Sequence, residues 1–180
     1  MDLGKYTDLP SALGFAPNKD ADISKAQLFE VFGKLPNFPT DFKLERGKTI
    51  EHDGVKITEL SWSTGYGPRT QSYLVMPADA SGPLPGVLFL HSHDDVKGYG
   101  KEKLVEGAAK MPAEYDWLRR DHYGDRAPAN VLAKRGYAVL TFDCFMWGSR
   151  RFTLEDMPNR LREILGSNDY ERLAIMHESM

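Results

Sequence analysis

The sequence predicts an α/β fold in which antiparallel strands lead into a parallel βαβ core flanked by helices. Three observations carry this. Segments 55–63 ("VKITELSWS") and 71–78 ("QSYLVMPA") alternate apolar and polar residues, the mark of half-buried antiparallel strands. Segments 86–92 ("GVLFLHS") and 138–144 ("AVLTFDC") are apolar almost throughout, as strands covered on both faces are. Between those two lies "APANVLAKRGY", a helical phrase with Pro128 in its first turn and Gly136 as its stop. Strand, helix and strand in that order form a βαβ unit.

Taken in order, the chain opens with "SKAQLFEVFGK", where Ser24 and Gln27 form a capping-box pattern ahead of Leu28, Phe29, Val31 and Phe32, and Gly33 ends the helix. "LPNFPTDF" is a proline-punctuated linker. Residues 1–49 thus read as a helix and linker, and 50–180 as the α/β part. In segment 55–63 the alternation of Val55 and Ile57 resumes at Leu60 and Trp62 after a one-residue offset. The stretch from Tyr99 to Tyr123 suggests a short helix over 101–110 and then a surface excursion around "PAEYDWLRRDHYGD". After 144, "MWGSRRF" reads as a loop, and "LEDMPNRLREILG" and "NDYERLAIMHESM" read as polar-rich helices.

Bulk properties narrow the function classes. A chain of 180 residues can bury a real core. A net charge of −3 gives no electrostatic case for nucleic acid or an anionic membrane as partner. No apolar run approaches the roughly 20 residues of a membrane span. The start lacks the basic region and apolar stretch of a secretory signal. A lone cysteine, Cys144, gives no internal disulfide and fits a reducing compartment. The expectation is a cytoplasmic protein.

Ligands of open α/β sheets gather at the carboxyl ends of the strands. Two such ends stand out: His91-Ser92-His93-Asp94-Asp95, and the run from Asp143 to Arg151. The ordered phrases "PLPGVLFLHSH", "LAKRGYAVLTFD" and "MWGSRR" over roughly residues 50–155 resemble the first half of an α/β-hydrolase. The nearest group is the bacterial dienelactone hydrolase and acetyl xylan esterase-like one. That resemblance implies a carboxylic-ester hydrolase with a serine nucleophile, acting on a small-molecule ester without a cofactor. It places one backbone N–H of the oxyanion hole at His93. Asp94, Tyr99 and Trp147 would lie along the substrate pocket. His91, Asp143 and Arg150 would hold the surrounding loops. Ser92 departs from the pattern, which has glycine there.

Chemistry is also missing. No G-x-S-x-G or G-x-C-x-G elbow occurs in the chain. Cys144 lacks the flanking glycines and reads as a small core hydrophobe, and His177 reads as a surface histidine. By family order the elbow, acid and base would follow residue 180. The chain therefore reads as an amino-terminal part, inactive alone, whose sheet the rest of the hydrolase or a second chain completes. Left bare, an apolar central strand becomes an edge prone to aggregation.

Two other readings compete. His91-x-His93-x-Asp95 could hold zinc in a metallohydrolase, although Val96 replaces the last histidine of that motif. A non-catalytic binding module on the same fold would show the same missing elbow. At the second strand end, Arg150 and Arg151 either bind an anionic substrate group or, as arginine more often does, pair with carboxylates of the fold. Trp147 suits a pocket wall or simple packing equally.

Overall fold

The computed structural model describes residues 26, 27, 30, 39–94, 96–156 and 159–165. The chain divides into two compact units, Met1–Asn37 and Phe38–Met180. In the first unit Ala26, Gln27 and Glu30 are helical. The rest of that expected helix and of the linker lies outside the described residues, as do Asp95, His177 and the last expected helix.

The second unit is built on a five-stranded mixed sheet of order β1-β2-β3-β5-β4. Strand β1 (Glu45–His52) is polar and was not foreseen. It turns into β2 (Val55–Trp62) through Asp53 and Gly54, whose φ angles of 44° and 77° fit the tight two-residue hairpin that "DG" favours. Strand β3 (Thr70–Pro77) pairs antiparallel with β2 over its whole length and then with β5 (Ala138–Phe142). Strand β4 (Gly86–Leu88) runs parallel to β5, with Val87 opposite Val139.

The offset seen in β2 is not a bulge, because its register with β3 is unbroken. It is a change of face. Val55 and Ile57 join Tyr73, Val75 and Val139 in the core under the helix α2 (Pro128–Lys134), which packs through Ala129 and Ala133. Leu60 and Trp62 serve the opposite face, where Trp62 meets Phe142 edge-to-face at 5.6 Å.

Strand β4 departs from the expectation that both its faces are covered. Val87 and Phe89 pack on the core, but Leu88 and Leu90 are 61% and 54% exposed. Its amides engage β5 on one side only, and no strand among the described residues pairs with the other. An apolar groove of about 400 Å3, lined by Phe42, Leu44, Leu60, Trp62 and Leu140, lies on the same open face.

The stretch 101–123 also differs from expectation. Instead of a helix over 101–110 there is a single 3-10 turn, Lys101–Lys103. The supposed excursion contains a helix, α1 (Asp116–Tyr123), closed by Gly124 at φ 61°. Its Leu118 forms a satellite core with Val96 and Met111. A 3-10 turn (Leu154–Asp156) and α3 (Asn159–Leu165) follow β5.

Candidate functional site

The parallel pair β4 and β5 ends at one side of the sheet, and the polar segments after each strand meet there. His91 ties them together. Its Nδ1–H donates to the Ser92 carbonyl at 3.0 Å, and its Nε2 accepts the Cys144 N–H at 3.2 Å. A carbonyl can only accept and an amide N–H only donate, so the imidazole is the neutral Nδ1–H tautomer. Burial holds its pKa below the ordinary histidine value, in keeping with that state.

Asp143, 1% exposed, anchors the other end. Its carboxylate accepts the Lys101 N–H at 2.9 Å, the Ser149 N–H at 2.9 Å and the Lys101 ammonium at 2.9 Å. Gly100 and Gly148 pass so close that a Cβ on either would collide with this carboxylate. Burial alone would lower the Lys101 pKa, but Asp143 and Glu102 outweigh it and hold the ammonium above its ordinary value.

A second buried ion pair lies under the loop after β4. The side chains of Lys103 and Asp94 have no exposed surface and are in direct contact. The Ser92 hydroxyl also bonds to Asp94 and lies 2.6 Å from the Tyr123 hydroxyl, which accepts the Ser92 N–H at 2.7 Å. The side chain at Ser92 is thus part of the loop's bracing. The left-handed residue of this loop is Asp94, at φ 37°, so no glycine is required at 92.

These contacts fix one peptide. The Ser92 carbonyl receives the His91 Nδ1–H and, at 3.5 Å, the Lys103 ammonium. In a trans peptide the N–H points opposite to the carbonyl, so the His93 N–H is directed away from His91 and Lys103. The next carbonyl, that of His93, accepts the Trp147 indole N–H at 3.2 Å. Trp147 also meets the His93 ring at 5.1 Å and carries the Lys97 ammonium 3.3 Å from its ring centroid. Trp147 therefore clamps the end of β5 onto the loop after β4.

The other expected site residues fall as follows. Asp94 is turned wholly into the interior by Lys103. Tyr99 packs 5.3 Å from Tyr115 beside the satellite core. Arg150 is buried and, among the described residues, pairs with aromatic rings and a carbonyl instead of a carboxylate. A cleft of about 520 Å3 bounded by Glu106, Lys110, Asp116 and Arg119 includes none of these residues. Among the described residues no group of three or more His, Cys, Asp or Glu side chains could hold a metal. In the His91-x-His93-x-Asp95 pattern, the Nε2 lone pair of His91 is already taken by the Cys144 amide, and Asp95 lies outside the described residues. The sequence reading missed Lys97, Lys101, Lys103 and Tyr123. Lysines crowding two glycines after a strand end were its only signal for the first three.

No family model matches the chain. It is 31% identical over 127 residues to the Bacillus subtilis (strain 168) protein "Putative hydrolase YtaP", a match covering 71% of this chain and 38% of that protein. A crystal structure of a putative acetyl xylan esterase from Bacteroides fragilis NCTC 9343 superposes with a TM-score of 0.50 at 17% identity, over 78% of this chain and 38% of that one. The chain thus spans under two fifths of the length of either. The mixed sheet with its few helices shares the fold of the superposed part of that structure. No helix among the described residues is long and apolar enough to cross a membrane.

Proposed function

We propose that these residues are the amino-terminal part of an α/β-hydrolase that cleaves carboxylic esters with a serine nucleophile. The observation that carries this is the fixed Ser92–His93 peptide at the end of β4. Its carbonyl is held by His91 and Lys103, and its N–H is turned the other way. Such a preset donor is what an oxyanion intermediate needs, because the cost of orienting it is met in folding and not during reaction.

In this reading a serine after residue 180 attacks the ester carbonyl while a histidine takes its proton. The carbonyl oxygen becomes an oxyanion that accepts a hydrogen bond from the His93 N–H. Collapse expels the alcohol, and water then releases the acyl group by the same steps. The bare side of β4 and the exposed Leu88 and Leu90 would receive the strand bearing that serine and the helix behind it. Its partners are the rest of the hydrolase and a small ester. The names of the relative and of the structural neighbour favour the same chemistry.

Intact mass of the full-length protein before and after fluorophosphonate treatment tests this. The expected result is a single added phosphonyl group on a serine outside these 180 residues, with loss of p-nitrophenyl acetate turnover. The 20.3 kDa chain alone should stay unlabelled. A full-length protein that takes no label and hydrolyses no ester would overturn the proposal.

A further inference from the structure

The Arg150 guanidinium is charged at any pH the protein meets, yet the residue is only 4% exposed. Buried charges are as a rule paired, because leaving water is costly for an ion. Arg150 has no carboxylate partner among the described residues. One terminal nitrogen donates to the Tyr66 carbonyl at 3.2 Å, and Nε is buried with no hydrogen-bond partner among the described residues. Its neighbours include two aromatic rings, Tyr66 at 5.2 Å and Phe145 at 5.3 Å from the guanidinium carbon. Ring faces attract a cation, but they accept an N–H far more weakly than an oxygen does.

We propose that Arg150 is the receptor for a small-molecule carboxylate, gripped through the edge of the guanidinium that carries Nε. That edge presents parallel N–H groups that match the two oxygens of a carboxylate. The cover over it suits a small ligand better than a protein segment. Two of the side chains against the guanidinium are half-exposed: Tyr66 and Phe145 are 44% and 43% exposed, and their rings meet edge-to-face at 6.0 Å. Exposed side chains change rotamer within nanoseconds, so the site opens without moving a strand. The site stands at the carboxyl end of β5, in the turn Gly148–Arg150, where the Ser149 N–H donates to Asp143 and the Gly148 N–H to the Lys97 carbonyl. The inference does not depend on the ester-hydrolase reading, because it needs only the unpaired cation and its cover.

The test observes the Arg150 Nε–H in 1H–15N spectra of the full-length protein, identified by its loss in Arg150→Lys. Sodium acetate is exchanged for sodium chloride at constant ionic strength. The expected result is a saturable downfield movement of that one signal, with the other arginine signals unmoved. Three results would overturn the proposal. One is a signal unmoved at every acetate concentration. Another is a signal already far downfield without acetate, which would mean that a carboxylate of the protein fills the place. The third is a response to inorganic phosphate with none to acetate. Should the lysine variant fail to fold, the signal is assigned in the unsubstituted protein by its nuclear Overhauser contacts to the Tyr66 and Phe145 rings.

Discussion

Lys101 and Lys103 stand two residues apart on one 3-10 turn, both buried against a carboxylate, yet their ammonium groups are held in opposite senses. Burial pushes the Lys103 pKa below the ordinary lysine value, and Asp94 does not offset it. For Lys101 burial is outweighed. The difference lies in the partners. Lys101 faces two carboxylates, Asp143 and Glu102, at 2.9 and 2.6 Å. Lys103 has one, and that one also serves the Ser92 hydroxyl. An ion pair out of water is favourable only when its geometry and extra hydrogen bonds repay desolvation. The first pair is a structural rivet between the ends of β4 and β5. The second serves the loop that carries His93.

Breaking the rivet should have the largest effect. Asp143→Asn leaves Lys101 charged and buried with Glu102 alone, and it weakens the caps on the Lys101 and Ser149 amides. The expected loss is about 3–5 kcal/mol, the usual result of removing one member of a buried pair. A fall in the urea midpoint with unchanged slope would report it. A loss near zero would mean that the carboxylate is not bound as the structure has it.

The Lys103 pair should respond differently. Lys103→Met strands the Asp94 carboxylate, at a cost of about 3 kcal/mol. Adding Asp94→Asn should return the protein to within about 1 kcal/mol of its original stability, because neutral partners remove the desolvation cost. Asparagine also tolerates the left-handed backbone at position 94. Urea unfolding of the single and double variants closes the cycle. If the two losses simply added, Lys103 and Asp94 would not be a pair. The same double variant keeps the His91 bond to the Ser92 carbonyl, so under the proposed ester-hydrolase reading turnover in the full-length protein should fall only a few-fold.

How far the sequence foretold this arrangement depends on the residue type. The βαβ unit was legible because Pro128, Gly136 and two apolar runs each obey a local rule. Strand β1 was not, since "ERGKTIEH" has almost no apolar pattern, and its exposed residues owe their order to pairing with β2. The "DG" at 53–54 was a usable hairpin signal that went unread. The helix expected over 101–110 failed for tertiary reasons: Lys101 and Lys103 are drawn inward to two carboxylates, and the turn stops after three residues. Nothing in one sequence marks a lysine as buried. Arg150 shows the opposite error, since arginine's habit of pairing with acids suggested a partner that the fold does not supply among the described residues.

The smallest effect is also the one that separates the loop from the rivet. His91 bridges both, and its neutral state is required at one nitrogen, since protonation of Nε2 would destroy the bond from the Cys144 amide. Its folded pKa lies below the ordinary value because burial disfavours the imidazolium. Below about pH 6.5 the unfolded chain therefore binds a proton that the folded one refuses, and stability falls as pH falls. Above that value both forms are neutral and the contribution is flat. Urea midpoints taken from pH 7.5 down to pH 5 should decline on this account, over and above the titration of carboxylates that begins lower. In His91→Asn the amide side chain can still donate to the Ser92 carbonyl but cannot titrate. The variant should start less stable, with the decline above pH 5 flattened. An equal decline in both proteins would assign the pH dependence to other groups and leave His91 as packing alone.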